Sequence, residues 1–276
     1  MLSKFYVVEH IKQALMEDIG FGDITTENLA EESDILKAEL NTRSEGVLCG
    51  ADVFKWVFEV LSDKVEIKFY FKDGDFIKSG DKIADLKGPA KDLLMGERLA
   101  LNYIQRMSGI ATETRKYAEA IKPYNAKIVD TRKTTPNFRA FEKYSVKTGG
   151  GALHRFNLSD CAMIKDNHIR LAGSITNAVT KLRNSISFTH KIEVECDTFE
   201  QVKEAVEVGS DIIMLDNMTT DLMKKSVEYI NGRAIVEASG NVNLNTVNSI
   251  AACGVDIISS SAIVAKAPTL DLALDM

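Results

Sequence analysis

The feature that most restricts the fold is a rhythm in the second half of the chain. Six short runs rich in β-branched residues recur there: AKIVD (126–130), CAMIK (161–165), KIEVE (191–195), DIIML (211–215), RAIVE (233–237) and DIISS (256–260). Helical stretches such as TFEQVKEAVEVGS and TTDLMKKSVEYING lie between most of them. Apolar strands alternating with helices belong to a parallel sheet buried on both faces, because each right-handed crossover lays a helix over the strands it joins. The last four runs are spaced by about 22 residues, which is tight for a βα unit. The spacing predicts a compact β/α barrel or an open sheet. Roughly 170 residues are available, against about 250 for an eight-stranded barrel, so an α/β chain with a barrel of about six strands fits best.

The first half is patterned differently. Val7, Val8, Ile11, Leu15 and Ile19 recur at helical spacing, and the glycines of DIGFGDITTE close that helix. Alternating apolar residues in VEIKFYFKDGDFIKSGDKIADLKGP, interrupted by Asp73-Gly74-Asp75 and Ser79-Gly80-Asp81, predict paired strands. A helical bridge, LLMGERLALNYIQRMSGIATETRKYAEAI, follows. The expected division is an N-terminal α+β domain over 1–108 and a barrel over 109–267, with residues 268–276 returning to the first.

The 276 residues carry a formal charge of −6, with 45% hydrophobic and 27% charged residues, the profile of an ordinary globular protein. The four cysteines, Cys49, Cys161, Cys196 and Cys253, form no C-x-x-C pair, which favours reduced thiols and a cytoplasmic setting. The first twenty residues interrupt their apolar positions with charges, unlike a signal peptide, and no run approaches the ~18 apolar residues of a membrane span. The acidic balance argues against nucleic acid as a partner. Within it lies a basic island: from Asp130 to Arg170, eight Arg or Lys stand against four acids, a local balance of +4.

Parallel β/α folds build their sites where the strands finish. The first run ends in Asp130, Arg132 and Lys133, and the second in Lys165, Asp166, Asn167 and His168. The third ends in Glu193 and Glu195, the fourth in Asp216 and Asn217, the fifth in Glu237, Ser239 and Gly240, and the sixth in Ser259, Ser260 and Ser261. A charged residue at one strand end is ordinarily solvation. Six consecutive ends of this kind argue for a ligand-binding rim. Arginine forks and lysine point charges suit a polyanion, and backbone N–H groups near Gly240, at an expected strand-to-helix turn, would suit a phosphate. GGGALHR (149–155) adds a flexible loop leading to His154 and Arg155. The four histidines lack metal-ligand spacing, and no P-loop, G-x-G-x-x-G or G-x-S-x-G context is present.

These residues carry a resemblance. GERLALNYIQRMSGIAT (96–112), DTRKTTP (130–136), GGGALHR (149–155), IKDNHI (164–169), EVE (193–195), MLDNM (214–218) and EASGNV (237–242) occur in the order seen in the quinolinate phosphoribosyltransferase, or nicotinate-nucleotide pyrophosphorylase (carboxylating), family. The resemblance implies a type II phosphoribosyltransferase that joins quinolinate to phosphoribosyl pyrophosphate with Mg²⁺, releasing nicotinate mononucleotide, pyrophosphate and carbon dioxide for NAD biosynthesis. It implies a homodimer or higher homo-oligomer with shared active sites, in which the N-terminal domain of one subunit caps the barrel of another. By motif position, Thr131, Arg132, His154 and Arg155 would hold quinolinate, with Arg98 reaching in from a second copy. Lys133 and Lys165 would face pyrophosphate, Glu195 and Asp216 the Mg²⁺-bound ribose and pyrophosphate, and Ser239, Gly240, Asn241 and Ser261 the 5-phosphate.

The sequence departs from the family pattern at Asn137 and Ser261, where glycine is usual, and at Leu153, where asparagine is usual. AIVAKAP (262–268) lacks the family's histidine and carries Lys266. These departures leave two alternatives: a related pyrophosphorylase acting on another aromatic acceptor, of the molybdenum-transport-associated type, or a non-catalytic protein that binds an anionic metabolite.

Overall fold

The computed structural model describes residues 2–276. In chain order the elements are α1 (Lys4–Ile19), α2 (Thr26–Leu29), β1 (Ile35–Thr42), β2 (Gly46–Val47), α3 (Ala51–Leu61), β3 (Glu66–Phe69), β4 (Phe76–Ile77), β5 (Lys82–Pro89), α4 (Ala90–Ala120), β6 (Lys127–Val129) and α5 (Arg139–Thr148). There follow β7 (Ala162–Ile164), α6 (Asp166–Ala172), α7 (Ile175–Arg183), β8 (Ile192–Cys196), α8 (Phe199–Glu207), β9 (Ile212–Asp216), α9 (Thr220–Ile230), β10 (Ile235–Ser239), α10 (Val247–Ala251), β11 (Ile257–Ser259), α11 (Ala262–Ala265) and β12 (Leu272–Asp275). Two compact units result. One takes in the chain to Arg115 with Asn137–Gly150 and Ala267–Met276; the other takes in Lys116–Pro136 and Gly151–Lys266.

The first unit is built on an antiparallel sheet in the order β12-β1-β5-β3. Helix α1 buries Val7, Ile11 and Leu15, one per turn, and stops at Gly20 with φ 61. Asp73 caps α3, its carboxylate accepting the N–H groups of Gly50 and Ala51 at 3.0 Å. Of the basic island, Arg139, Lys143 and Lys147 lie on α5, which belongs to this unit, and Lys143 is buried. The reason is local. Helix α5 turns Phe141 into the core, its ring stacked 4.6 Å from Phe138 and tilted against Tyr103 at 5.3 Å, and the neighbouring positions follow it inward. Gly109 on α4 allows residues 267–276 to return closely, since a Cβ there would lie 1.9 Å from the carbonyl oxygen of Pro268.

In the second unit all six predicted strands are present in one parallel sheet, ordered β6-β11-β10-β9-β8-β7. The first strand of the set pairs with the last while the others follow in sequence order, which is the topology of a β/α barrel. Between β6 and β7 the chain at Ala152 takes the empty place, bridging Val129 in parallel and donating its N–H to Ile128 O at 2.8 Å.

Candidate active site

Side chains alternate across a strand and paired residues share a face, so the register fixes what points where. Glu195 sits opposite Met214, and Met214 opposite Glu237; one step further along, Asp216 sits opposite Ser239. Met163 opposes Glu193 one layer lower. The period of two therefore places Glu193 with Glu195, Met214 with Asp216, and Glu237 with Ser239 on a common side, opposite Val194, Ile213, Leu215, Val236 and Ala238.

At the strand ends Lys165 and Glu195 form an ion pair. The Asp216 carboxylate accepts from the Asn217 amide at 2.7 Å. Thr131 Oγ1 accepts the Lys133 N–H at 3.0 Å, shaping the turn after β6 that leaves Arg132 and Lys133 exposed. Arg155 is drawn back along β7, its Nη1 donating to Cys161 O at 2.8 Å and its Nη2 lying 3.4 Å from Met163 Sδ. Ser239 and Gly240 close β10, and Asn241 follows with φ 55. The helix expected directly after Gly240 begins only at Val247, because Asn241 to Thr246 fold into turns in which Thr246 Oγ1 donates to Asn241 O at 3.1 Å. Ser261 precedes α11, and Ser260 Oγ beside it donates to Val242 O at 3.3 Å, tying the ends of β10 and β11 together. His168 serves its own helix: its Nδ1 accepts the Lys165 N–H at 3.0 Å. Arg98 is an exposed residue of α4 in the first unit.

His154, Glu193 and Glu237, three separate positions in the sequence reading, meet in one buried cluster. His154 Nε2 lies 3.5 Å from Glu193 Oε2 and 3.3 Å from Glu237 Oε2. Glu193 is fully buried and Glu237 is 3% exposed. Neither Glu193 oxygen nor Glu237 Oε1 has a hydrogen-bond partner. The backbone around the ring is clamped: the His154 N–H donates to Asp130 Oδ1 at 2.9 Å, and Nδ1 accepts the Arg155 N–H at 2.7 Å. Burial alone would lower the His154 pKa, but its interactions with Glu193 and Glu237 outweigh that and raise it to about 10. Burial raises the Glu193 pKa, and the charge of Glu237 adds to it. Both shifts have one origin, a titratable ring set between two buried carboxylates. With Nδ1 engaged as an acceptor, the ring presents Nε2–H to the two carboxylates.

The three donor atoms lie within 4.8 Å of one another, close enough for an ion. A metal would need the Nε2 lone pair, whereas acceptance at Nδ1 puts a proton there, so in this conformation the trio is not a metal site. Glu195 and Asp216 fit Mg²⁺ better, as hard oxygen donors at the ends of adjacent strands, where one or two carboxylates are completed by substrate oxygens. Alternation within KIEVE carried the missed signal: it sets two carboxylates on one face of a barrel strand.

A six-stranded parallel barrel whose strand ends carry paired lysine, carboxylate and hydroxyl groups defines an enzyme-type site for an anionic, oxygen-rich ligand. The particular family follows from comparison with known proteins. Residues 23–108 match the family "Quinolinate phosphoribosyl transferase, N-terminal domain" and residues 110–275 match its C-terminal domain, so the chain belongs to the quinolinate phosphoribosyltransferase family. It is 42% identical to the probable nicotinate-nucleotide pyrophosphorylase [carboxylating] of Bacillus subtilis, over 95% of this chain and 90% of that one. It is 39% identical to the quinolinate phosphoribosyltransferase [decarboxylating] 2b of Nicotiana tabacum, over 96% of this chain and 81% of that one. The crystal structure of NadC from Streptococcus pyogenes superposes with a TM-score of 0.97 at 39% identity, covering 100% of this chain and 98% of that chain.

Proposed function

We propose that the chain catalyses decarboxylating phosphoribosyl transfer from phosphoribosyl pyrophosphate to quinolinate, giving nicotinate mononucleotide, pyrophosphate and carbon dioxide. The observation that carries this is membership of both domains, in order, in one family of that activity. The rim chemistry agrees with it. Quinolinate brings two carboxylates, for which Thr131, Arg132, His154 and Arg155 are the proposed ligands, with Arg98 contributed by a second copy in a homodimer or larger assembly. As the pyridine nitrogen attacks the anomeric carbon, negative charge grows on the departing pyrophosphate, and Lys133 and Lys165 are the residues proposed to offset it. Breaking the Lys165–Glu195 pair on substrate binding frees the ammonium for that task and the carboxylate for the ribose side. Mg²⁺, when bound, supplies charge neutralisation of the pyrophosphate, and Glu195 and Asp216 are the residues proposed to hold it with the substrate. Ser239, Gly240, Asn241 and Ser261 are proposed to receive the 5-phosphate. Loss of the 2-carboxylate leaves an electron pair beside the cationic ring nitrogen, so the protein's part is orientation and charge screening. A cytoplasmic location is proposed with the reduced cysteines; no helix among the described residues is long and apolar enough to cross a membrane.

The test is quinolinate turnover with phosphoribosyl pyrophosphate and Mg²⁺. Carbon dioxide and pyrophosphate are expected in equal amounts, and each is expected to vanish when either substrate is omitted. Turnover of another aromatic acceptor but not of quinolinate would reject the reading.

A further inference from the structure

Asn217 follows Asp216 at the end of β9 and has φ 53, in the left-handed region. Asparagine tolerates that region better than most side chains, because its short amide bonds locally. Here three contacts use the conformation. The peptide N–H of Asn217 donates to Ser239 O at 2.9 Å, one strand over. Its carboxamide Nδ2 donates to Asp216 Oδ2 at 2.7 Å. Its Oδ1 and Cγ lie against Gly240, where an added Cβ would stand 2.2 Å from Oδ1 and 2.5 Å from Cγ, and Gly240 itself has φ 89. One residue thus joins the carboxylate of one strand to the turn that ends the next, and those two groups belong to different halves of the proposed phosphoribosyl pyrophosphate site.

We propose that Asn217 is a positioning residue for phosphoribosyl pyrophosphate, holding the Asp216 carboxylate in a fixed rotamer against the Ser239–Gly240 turn. The inference rests on the assignment of Asp216 and Gly240 to that substrate. Its mechanism is geometric: a carboxylate bonded through one oxygen cannot swing, and presents the other to a hydroxyl or a bound cation without losing rotamer entropy when the substrate arrives.

Backbone and side chain can be separated. Asn217→Gly keeps the left-handed backbone and removes the amide, whereas Asn217→Asp keeps the shape and replaces the donor with a second carboxylate. Calorimetric titration with phosphoribosyl pyrophosphate in the presence of Mg²⁺ is the primary measurement, with quinolinate titrated in parallel. Asn217→Gly is expected to weaken phosphoribosyl pyrophosphate binding about tenfold while quinolinate affinity changes less than twofold. Asn217→Asp is expected to weaken it further, since two adjacent carboxylates repel. Unchanged phosphoribosyl pyrophosphate affinity in Asn217→Gly would overturn the proposal. So would equal losses for both ligands, which would mean general loosening of the barrel. Binding is read without turnover: an unaltered protein that binds phosphoribosyl pyrophosphate yet leaves quinolinate intact would defeat the functional assignment alone, and one that binds none would defeat both.

Discussion

Removing His154 tests the reading of the barrel interior. The imidazole lies between two buried carboxylates, 3.5 Å from Glu193 and 3.3 Å from Glu237. His154→Ala leaves those carboxylates facing each other with the Nε2–H gone. Removing one partner of a buried charged cluster costs about 3–5 kcal/mol. The ring meets the two carboxylates at 3.5 and 3.3 Å, longer than a tight charged hydrogen bond, so the lower end, about 3 kcal/mol, is expected at pH 7. The pH dependence identifies the cause. Glu193 has its pKa raised in the folded state, by burial first. The protonated acid is therefore the form the fold favours: its contribution is fully present below the unfolded value near 4.5 and is lost as pH rises through the folded value. Glu193 remains in both proteins, whereas the contribution of His154, fully present below the unfolded value near 6.5 and lost as pH rises through about 10, belongs to the unaltered protein alone, so the deficit of His154→Ala should be larger at pH 5 than at pH 8. Urea denaturation of both proteins at pH 5, 6, 7 and 8 measures it. A deficit below about 0.5 kcal/mol, or one independent of pH, would refute the reasoning.

Three further outcomes are expected. Lys165→Met should lower turnover about 100-fold or more, the scale of losing one charge-stabilising donor; because Lys165 is 43% exposed and Glu195 17%, the lost ion pair should cost no more than about 1 kcal/mol of stability, which parallel denaturation and kinetics would separate. His10, whose Nδ1 lies 2.6 Å from Tyr103 Oη, has its pKa lowered by burial. The neutral ring is the form the fold accepts, so its contribution is present above the unfolded value near 6.5 and is lost as pH falls below it, and His10→Asn should flatten the fall in stability between pH 7 and pH 5. Gly109→Ala should destabilise by about 1–3 kcal/mol or more through collision with the backbone of residues 267–276, with a lowered melting temperature as the readout; an unchanged melting temperature would show that the close approach relaxes freely.

The barrel was legible because its constraint is periodic. Six β-branched runs and the helices between them leave one economical topology, and each run sits within a residue or two of a strand. The Lys165–Glu195 ion pair was legible for a related reason: the two residues lie at the ends of neighbouring parallel strands. What escaped the sequence depends on long-range pairing. Residues 137–150 follow a barrel strand in sequence but belong to the first unit, because Phe141 packs with Phe138 and Tyr103, a contact that no local pattern announces. Glu193 and Glu237 looked like two more strand-end acids, and only the register sets them around one histidine. Gly240 was read as the start of a helix, whereas turns anchored by Thr246 delay the helix to Val247. Asn217 was legible as a strand-end residue beside Asp216, whereas its left-handed backbone and its contact with Gly240 depend on the neighbouring strand.

The central claim is that the strand-end cations of the barrel form the seat of a dianionic pyridine. A crystal structure of the protein with quinolinate bound tests it most directly. The account predicts both carboxylates at the C-terminal ends of the strands, with Arg132 and Arg155 turned toward them and the ring nitrogen on the side of Lys165 and Asp216. Quinolinate found elsewhere on the chain, or found at the rim with neither arginine within hydrogen-bonding reach, would contradict it.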